Sequence, residues 1–256
     1  MGPGSRPTVF KVAMAATCAP VPLAHPPLLD HPLLGAPAPA TESFESLTVG
    51  ADSSIPGDPF FDSHVLVLPG FATADECATL IAAADCWADD QLVLPSEATA
   101  LRRASVEDLD SRSQTLSSAL IARACLSLQS KLPSVARECF GPADLHMSGR
   151  RFSFAPSEPA INIYDVGGTF PPHEDRQSLT LLVPLSAPTV AFEGGGTAFW
   201  AANAFRLGDE LADVEPTLVV RPLVPGTAVL FGGSMTHAAL PVISGKRHAF
   251  VSSFTP

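Results

Sequence analysis

YDVGGTFPPHED, residues 164–175, is the stretch on which the fold and the site both turn. A glycine pair closes the apolar run INIY, and a short proline-rich segment then presents a histidine and an aspartate two positions apart. If that segment is extended, successive side chains point to opposite faces, so His173 and Asp175 project together while Glu174 points away. Two potential metal ligands then share one face. An isolated His-x-Asp is more often an exposed polar turn, so the sequence around it decides its meaning.

Downstream and upstream of this stretch, from residue 150 onward, short β-rich runs are separated by glycine and proline: RRFSF, AINIYDV, SLTLLVPL, GTAFW, PTLVVRP, GTAVLF, HAALPV and HAFVSSF. This spacing predicts an antiparallel double-sheet jelly roll, a double-stranded β-helix, over 150–256. Gly194–Gly195–Gly196 and Gly232–Gly233 fit turns or close backbone approaches, because neither stands between a strand and a helix with a following lysine. The preceding block reads as helical support over 72–140. Thr73 and Glu76 have capping-box spacing, and Cys77, Leu80, Ile81 and Ala84 recur at the period of an amphipathic helix over 73–87. Leu116, Leu120, Ile121, Ala124 and Leu128 form the stripe of a second helix over 113–132, with a shorter one expected at 134–140. The fold class is therefore α+β, mostly β, with the helices packed on one face of the jelly roll.

A strand, SHVLVLPGF at 63–71, opens the globular part. Residues 1–57 are rich in proline and alanine without a sustained period and read as a disordered tail, followed by a single domain over 58–256. Residues 8–24 resemble at most a poor targeting segment, and MGPGS is left out of the fold argument.

The 256 residues carry 15 Lys and Arg against 26 Asp and Glu, a net charge of −11, with the basic residues scattered. That balance argues against binding nucleic acid by counterion release and against a polybasic membrane anchor. No apolar run is long enough to cross a bilayer. Five cysteines without a CxxC pair read as reduced thiols, which favours a reducing intracellular compartment.

Two histidines and one carboxylate form the facial triad of non-haem Fe(II) sites. His25 and His31 fall in the tail, and His64 and His146 lie outside the strand-rich half. His237 and His248 remain, and His237 in FGGSMTHAALPV stands where turn residues lead into an apolar strand.

In order along the chain, YDVGGTFPPHED, SLTLLVPL with FEGGGTAF, and PGTAVLF with HAALPVISGKR resemble the Fe(II)/2-oxoglutarate-dependent dioxygenases, in particular their prolyl-hydroxylase-like branch. The resemblance covers roughly residues 164–254. It implies that His173, Asp175 and His237 bind iron, and that 2-oxoglutarate and O2 are co-substrates, with ascorbate as a supporting reductant. It further implies that Arg247 grips the distal carboxylate of 2-oxoglutarate, a task suited to a guanidinium fork. Lys246 is the rival by one position. Strand alternation sends Arg247, Ala249 and Val251 to one face and His248, Phe250 and Ser252 to the other, so only one of the two cations points inward. Tyr164 is implied as a second contact to the co-substrate, with Asn162 on its face and Thr180 reaching toward the same acid.

The implied activity is hydroxylation of a C–H bond coupled to decarboxylation of 2-oxoglutarate to succinate. The substrate is a peptidyl proline, another side chain or a small metabolite. Phe170 stands where the branch often has tyrosine, Arg247 where it commonly has lysine, and the link from Asp175 to Thr180 is short. A cupin-type metalloprotein without 2-oxoglutarate, or a catalytically inert binding module, is the alternative.

Overall fold

The computed structural model describes residues 44–49, 60–92, 94–96, 99–141, 152–201, 214–221 and 224–255. Residues 1–43 of the expected tail, and Arg150 and Arg151 at the start of the expected strand region, lie outside them.

Period-two alternation builds the molecule. The larger sheet runs in the order β1 (Glu45–Thr48), β2 (His64–Leu68), β11 (Ala228–Phe231), β7 (Leu179–Pro184), β14 (Arg247–Thr255), β5 (Ala160–Tyr164) and β3 (Leu101–Ser105), with β4 (Ser153–Phe154) pairing β14. All of these pairs are antiparallel. On one face Leu66, Leu181, Val183, Leu230, Ile161, Ile163 and Phe250 pack under the helices. On the other, Val67, Leu182, Val229, Phe231, Ala160, Tyr164 and Val251 join a second apolar layer. That layer also contains Phe199 and Val220 of the smaller sheet, ordered β10 (Leu218–Val220), β9 (Thr197–Phe199), β12 (His237–Ala239), β6 (Phe170–His173). The result is a mostly-sheet antiparallel sandwich with helices on its outer face. A third pair, β8 (Phe192–Gly194) with β13 (Val242–Gly245), lies at one end.

The helices form where the sequence places them. Helix α1 (Ala74–Asp90) opens on a complete capping box: Thr73 Oγ1 accepts from the Glu76 amide at 3.1 Å, and Thr73 N donates to Glu76 Oε2 at 2.8 Å. Helix α2 (Ser111–Lys131) is capped by Asp110, whose carboxylate accepts from the amides of Arg112 and Ser113. Helix α3 (Pro133–Phe140) has proline in its first turn, where no amide donor is needed. Arg123 of α2 reaches Glu76 at 2.8 Å and ties the first two helices together. Burial pushes the thiols of Cys77 and Cys139 up, to about 11 and about 12, as expected of protonated core thiols.

Two boundaries differ from the sequence expectation. The sheet starts before residue 58, because Glu45–Thr48 pairs along β2 in the stretch read as tail. The helical block is interrupted by β3, which pairs along β5 from Leu101↔Tyr164 to Ser105↔Ala160. Both strands are short and polar, ESLT and LRRAS, so neither carries the apolar alternation that marks a strand in sequence. Among the described residues no helix is long and apolar enough to cross a membrane.

Candidate functional site

The site lies between the two sheets, and each wall follows from local sequence. FPPH forms β6 although it contains two prolines, because β6 is the edge of the smaller sheet, where missing amide donors cost no ladder bond. Its neighbour β12 sets His237 opposite His173 in register, with ring centroids 4.3 Å apart. Asp175 lies just past the end of β6. The turn that carries it is gripped by Gly233: Arg176 N donates to Gly233 O at 2.8 Å, and Gly233 N donates to Gln177 O at 3.1 Å. A Cβ on Gly233 would lie 2.1 Å from Gln177 O, so only glycine allows this contact.

The consequence is convergence. His173 Nε2 lies 3.4 Å from Asp175 Oδ1 and His237 Nε2 lies 3.6 Å from Asp175 Oδ2. One ligand atom from each of the three residues falls within 4.8 Å of the others, spacing that could hold one metal ion. Each imidazole faces a backbone carbonyl through Nδ1, His173 to Pro171 O at 2.8 Å and His237 to Met235 O at 3.0 Å. A carbonyl only accepts, so Nδ1 carries the proton and Nε2 of the neutral ring presents a lone pair to the centre. Phe231 packs on the His237 ring at 4.6 Å, closing that side with apolar surface.

Electrostatics agree with a cation-seeking site. Burial pushes His237 down to about 4, so it is neutral near pH 7 and free to ligate. Burial opposes charge on His173, but the hydrogen bond to Asp175 and the Pro171 carbonyl outweigh it and raise the pKa above the ordinary value. Burial would also raise Asp175; the hydrogen bond from His173, the charge of His237 and the Thr180 hydroxyl outweigh it and hold the carboxyl well below the usual range.

The ligand atoms open on a cavity of about 380 Å³ whose wall includes Arg247, Tyr164 and Asn162 from the larger sheet. Arg247 is 2% exposed, and its Nη1 is buried with no hydrogen-bond partner. Its guanidinium lies 5.0 Å from the centroid of the Tyr164 ring. No carboxylate among the described residues pairs with it, and burial lowers its pKa, an effect that Tyr164 opposes without overcoming. Such a group is a ready receptor for a carboxylate. Lys246, the rival by one position, points the other way and bonds Asp85 at 3.3 Å.

Of the residues singled out in the sequence, His173, Asp175, His237, Arg247, Tyr164 and Asn162 line this one cavity. Thr180 has a different place. Its hydroxyl donates to Asp175 Oδ2 at 2.6 Å, and it is not among the residues lining the cavity, so its contact is with the Asp175 carboxylate. The sequence also missed Arg103 and Glu158. Arg103 Nη2 bonds Glu158 Oε1 at 2.5 Å and its Nη1 donates to Asn162 Oδ1 at 2.9 Å. That fixes the Asn162 amide: Nδ2 faces Tyr164 Oη at 3.1 Å and donates to it, leaving the phenolic proton free to donate elsewhere. The only trace of this chain in the sequence is the Arg102–Arg103 pair, which looks like surface charge until β3 lays it beside β5.

No protein-family profile matches the chain, and no curated protein matches it. Among solved structures, the chain is similar to the viral collagen prolyl hydroxylase of Paramecium bursaria Chlorella virus-1 in complex with 2OG. The identity is 19% and the TM-score 0.47, over 78% of this chain and 96% of that one. It is also similar to a Pseudomonas putida prolyl-4-hydroxylase, at 15% identity and TM-score 0.46, over 90% of this chain and 96% of that one. A third is an oxidoreductase of the 2OG-Fe(II) oxygenase family from Burkholderia pseudomallei, at 17% identity and TM-score 0.41, over 75% and 84% of the two chains. The chemistry open to this site rests on its own side chains.

Proposed function

We propose that this chain is a non-haem Fe(II)/2-oxoglutarate-dependent oxygenase on a double-stranded β-helix, which hydroxylates a C–H bond. His173 and His237 would hold the iron through Nε2 and Asp175 through a carboxylate oxygen, a donor set that suits Fe(II) and leaves coordination positions open. With iron bound, 2-oxoglutarate, O2 and a C–H substrate would yield succinate, carbon dioxide and the hydroxylated product, one oxygen atom entering succinate and the other the product.

The remaining work belongs to the protein. Arg247 would grip the distal carboxylate of 2-oxoglutarate with its two-donor edge, and Tyr164 would donate its free phenolic proton to the same group. Leu182, Phe231 and Val251 form an apolar wall that keeps water from that ion pair and strengthens it. Thr180 holds Asp175 in the orientation that faces both imidazoles.

The observation that carries this reading is the buried, unpartnered guanidinium of Arg247 in the same cavity as the three converging ligand atoms. A cupin-type metalloprotein without an oxoacid would leave that charge buried to no purpose, at a cost of several kcal/mol. The test is an anaerobic Fe(II) titration with and without 2-oxoglutarate. A visible charge-transfer band that requires both components is expected, and its failure to form overturns the proposal. Peptides and small metabolites are then screened for stimulated 2-oxoglutarate turnover to find the substrate.

A further inference from the structure

Arg247 is the first residue of β14, and backbone bonds tie both of its neighbours: Lys246 N donates to Ala191 O at 3.1 Å and Leu185 N donates to His248 O at 2.9 Å. Arg247 pairs with Tyr164 of β5 on one side, but the ladder to β7 begins only at Ala249↔Pro184 on the other. Its aliphatic stem rests on Gly195, where an added Cβ would lie 3.1 Å from Arg247 Cδ. Beyond the stem is a second cavity of about 360 Å³, bounded by Pro188, Phe192, Ile243 and Arg221. Those bonds fix the backbone, but with open volume on two sides and no partner for Nη1 the head of Arg247 also depends on how firmly the flanking side chains are held.

Helix α1 supplies that support. Asp85 Oδ1 lies 3.1 Å from His248 Nε2 and 3.3 Å from Lys246 Nζ, so one carboxylate holds both neighbours of Arg247. On the far side of the His248 ring, Ser186 Oγ lies 3.1 Å from Nδ1 and accepts the His248 backbone amide at 2.7 Å. An oxygen that accepts from the amide has its own proton free for Nδ1, which leaves the ring proton on Nε2, aimed at Asp85. The order serine, histidine, aspartate matches that of a hydrolase relay. Ser186 is 3% exposed and lines neither cavity, so it is no nucleophile. The relay is a brace.

We propose that Asp85 is a positioning residue for co-substrate binding: from α1 it clamps Lys246 and His248 and so holds the Arg247 guanidinium in place for a carboxylate. This rests on the oxygenase reading above. It means that the helical layer, which touches neither metal nor cavity at this point, tunes oxoacid affinity through the strand between them.

The experiment is a double-mutant cycle in the full chain, read by the anaerobic titration of Fe(II) and 2-oxoglutarate. Asp85→Ala is expected to weaken 2-oxoglutarate binding about tenfold while Fe(II) affinity stays within about twofold. Asp85→Asn keeps an oxygen for His248 Nε2 but loses the charge facing Lys246, so it should weaken binding about threefold. It also carries the test if the alanine variant folds poorly. In an Arg247→Ala background, Asp85→Ala should add nothing, because the group it positions is gone. Wild-type 2-oxoglutarate affinity in both Asp85 variants, with Arg247→Ala still weakened, overturns the clamp and leaves the oxygenase reading standing. Additive losses in the double variant also overturn it, since they mark a general structural effect. An Arg247→Ala variant that binds 2-oxoglutarate normally overturns both.

Discussion

The two ends of the central cavity are built on opposite principles. At the end formed by β6 and β12, the protein satisfies its own polar groups: Asp175 has Thr180 and two imidazoles, and each imidazole has a carbonyl. At the end formed by β14 and β5, the Arg247 guanidinium is buried against Tyr164 with no anion among the described residues. The first end is assembled before any ligand arrives, and its geometry is held by the fold. The second keeps a buried guanidinium without an anion among the described residues, at a cost in stability. Under the proposed function, the finished end would hold the metal and the waiting end would take the distal carboxylate of the oxoacid.

The variant with the largest expected effect attacks the finished end. Asp175→Ala should lower Fe(II) affinity by more than about a hundredfold, because it removes the only anionic ligand of the three. An equilibrium iron titration measures this, and an equal loss of iron affinity in Arg247→Ala would show that the ends are not independent.

Next comes the waiting end. Arg247→Ala should weaken 2-oxoglutarate binding about a hundredfold, and Arg247→Lys about tenfold, since an ammonium lacks the two-donor fork. Without ligand, Arg247→Met should raise the melting temperature by about 2–4 °C, because it removes an uncompensated buried charge. A lower melting temperature for Arg247→Met would mean that the guanidinium already has a partner, and the contrast between the ends would fail.

Thr180→Val probes the finish of the first end more gently. Loss of the hydroxyl to Asp175 should weaken iron about tenfold and leave the intrinsic affinity for 2-oxoglutarate on the iron-loaded protein unchanged. The opposite pattern would return Thr180 to contact with the acid.

The smallest effect concerns the brace behind the waiting end. Burial lowers the His248 pKa from its ordinary value of 6.5, outweighing the hydrogen bond and charge of Asp85. The folded protein then binds fewer protons there than the unfolded chain does, so its contribution to stability is present above pH 6.5 and is lost as pH falls from 6.5 through the depressed folded value. His248→Gln should flatten this part of a stability profile measured from pH 7 downward. An unchanged slope would assign it to other groups.

Much of this was legible in the chain. The capping box at Thr73 and Glu76, the apolar stripe of α2 and the alternation in β5, β7, β11 and β14 are local signals, and local hydrogen bonding and burial enforce them. Alternation separated Arg247 from its neighbours Lys246 and His248 but left open which cation points inward; in the structure Arg247 lines the cavity while Lys246 and His248 meet Asp85. The strands that escaped, ESLT and LRRAS, are held by pairing with partners far along the chain and not by their own periodicity. Arg103 and Glu158 escaped with them, because their meaning depends on β3 lying beside β5. The contact of Thr180 with Asp175 was not legible either, because it depends on how the turn after β6 packs against β7.

The sequence by itself determined which residue types are available, in what order, and which side of each strand they take, because these follow from a backbone whose period is two. Only the tertiary structure decided that His173 and His237 stand in register across two strands, that Gly233 presses the turn bearing Asp175 toward them, and that Asp85 claims Lys246 and leaves Arg247 unpaired. Those outcomes are contacts between segments far apart in the chain, and they exist only after the sheets have packed.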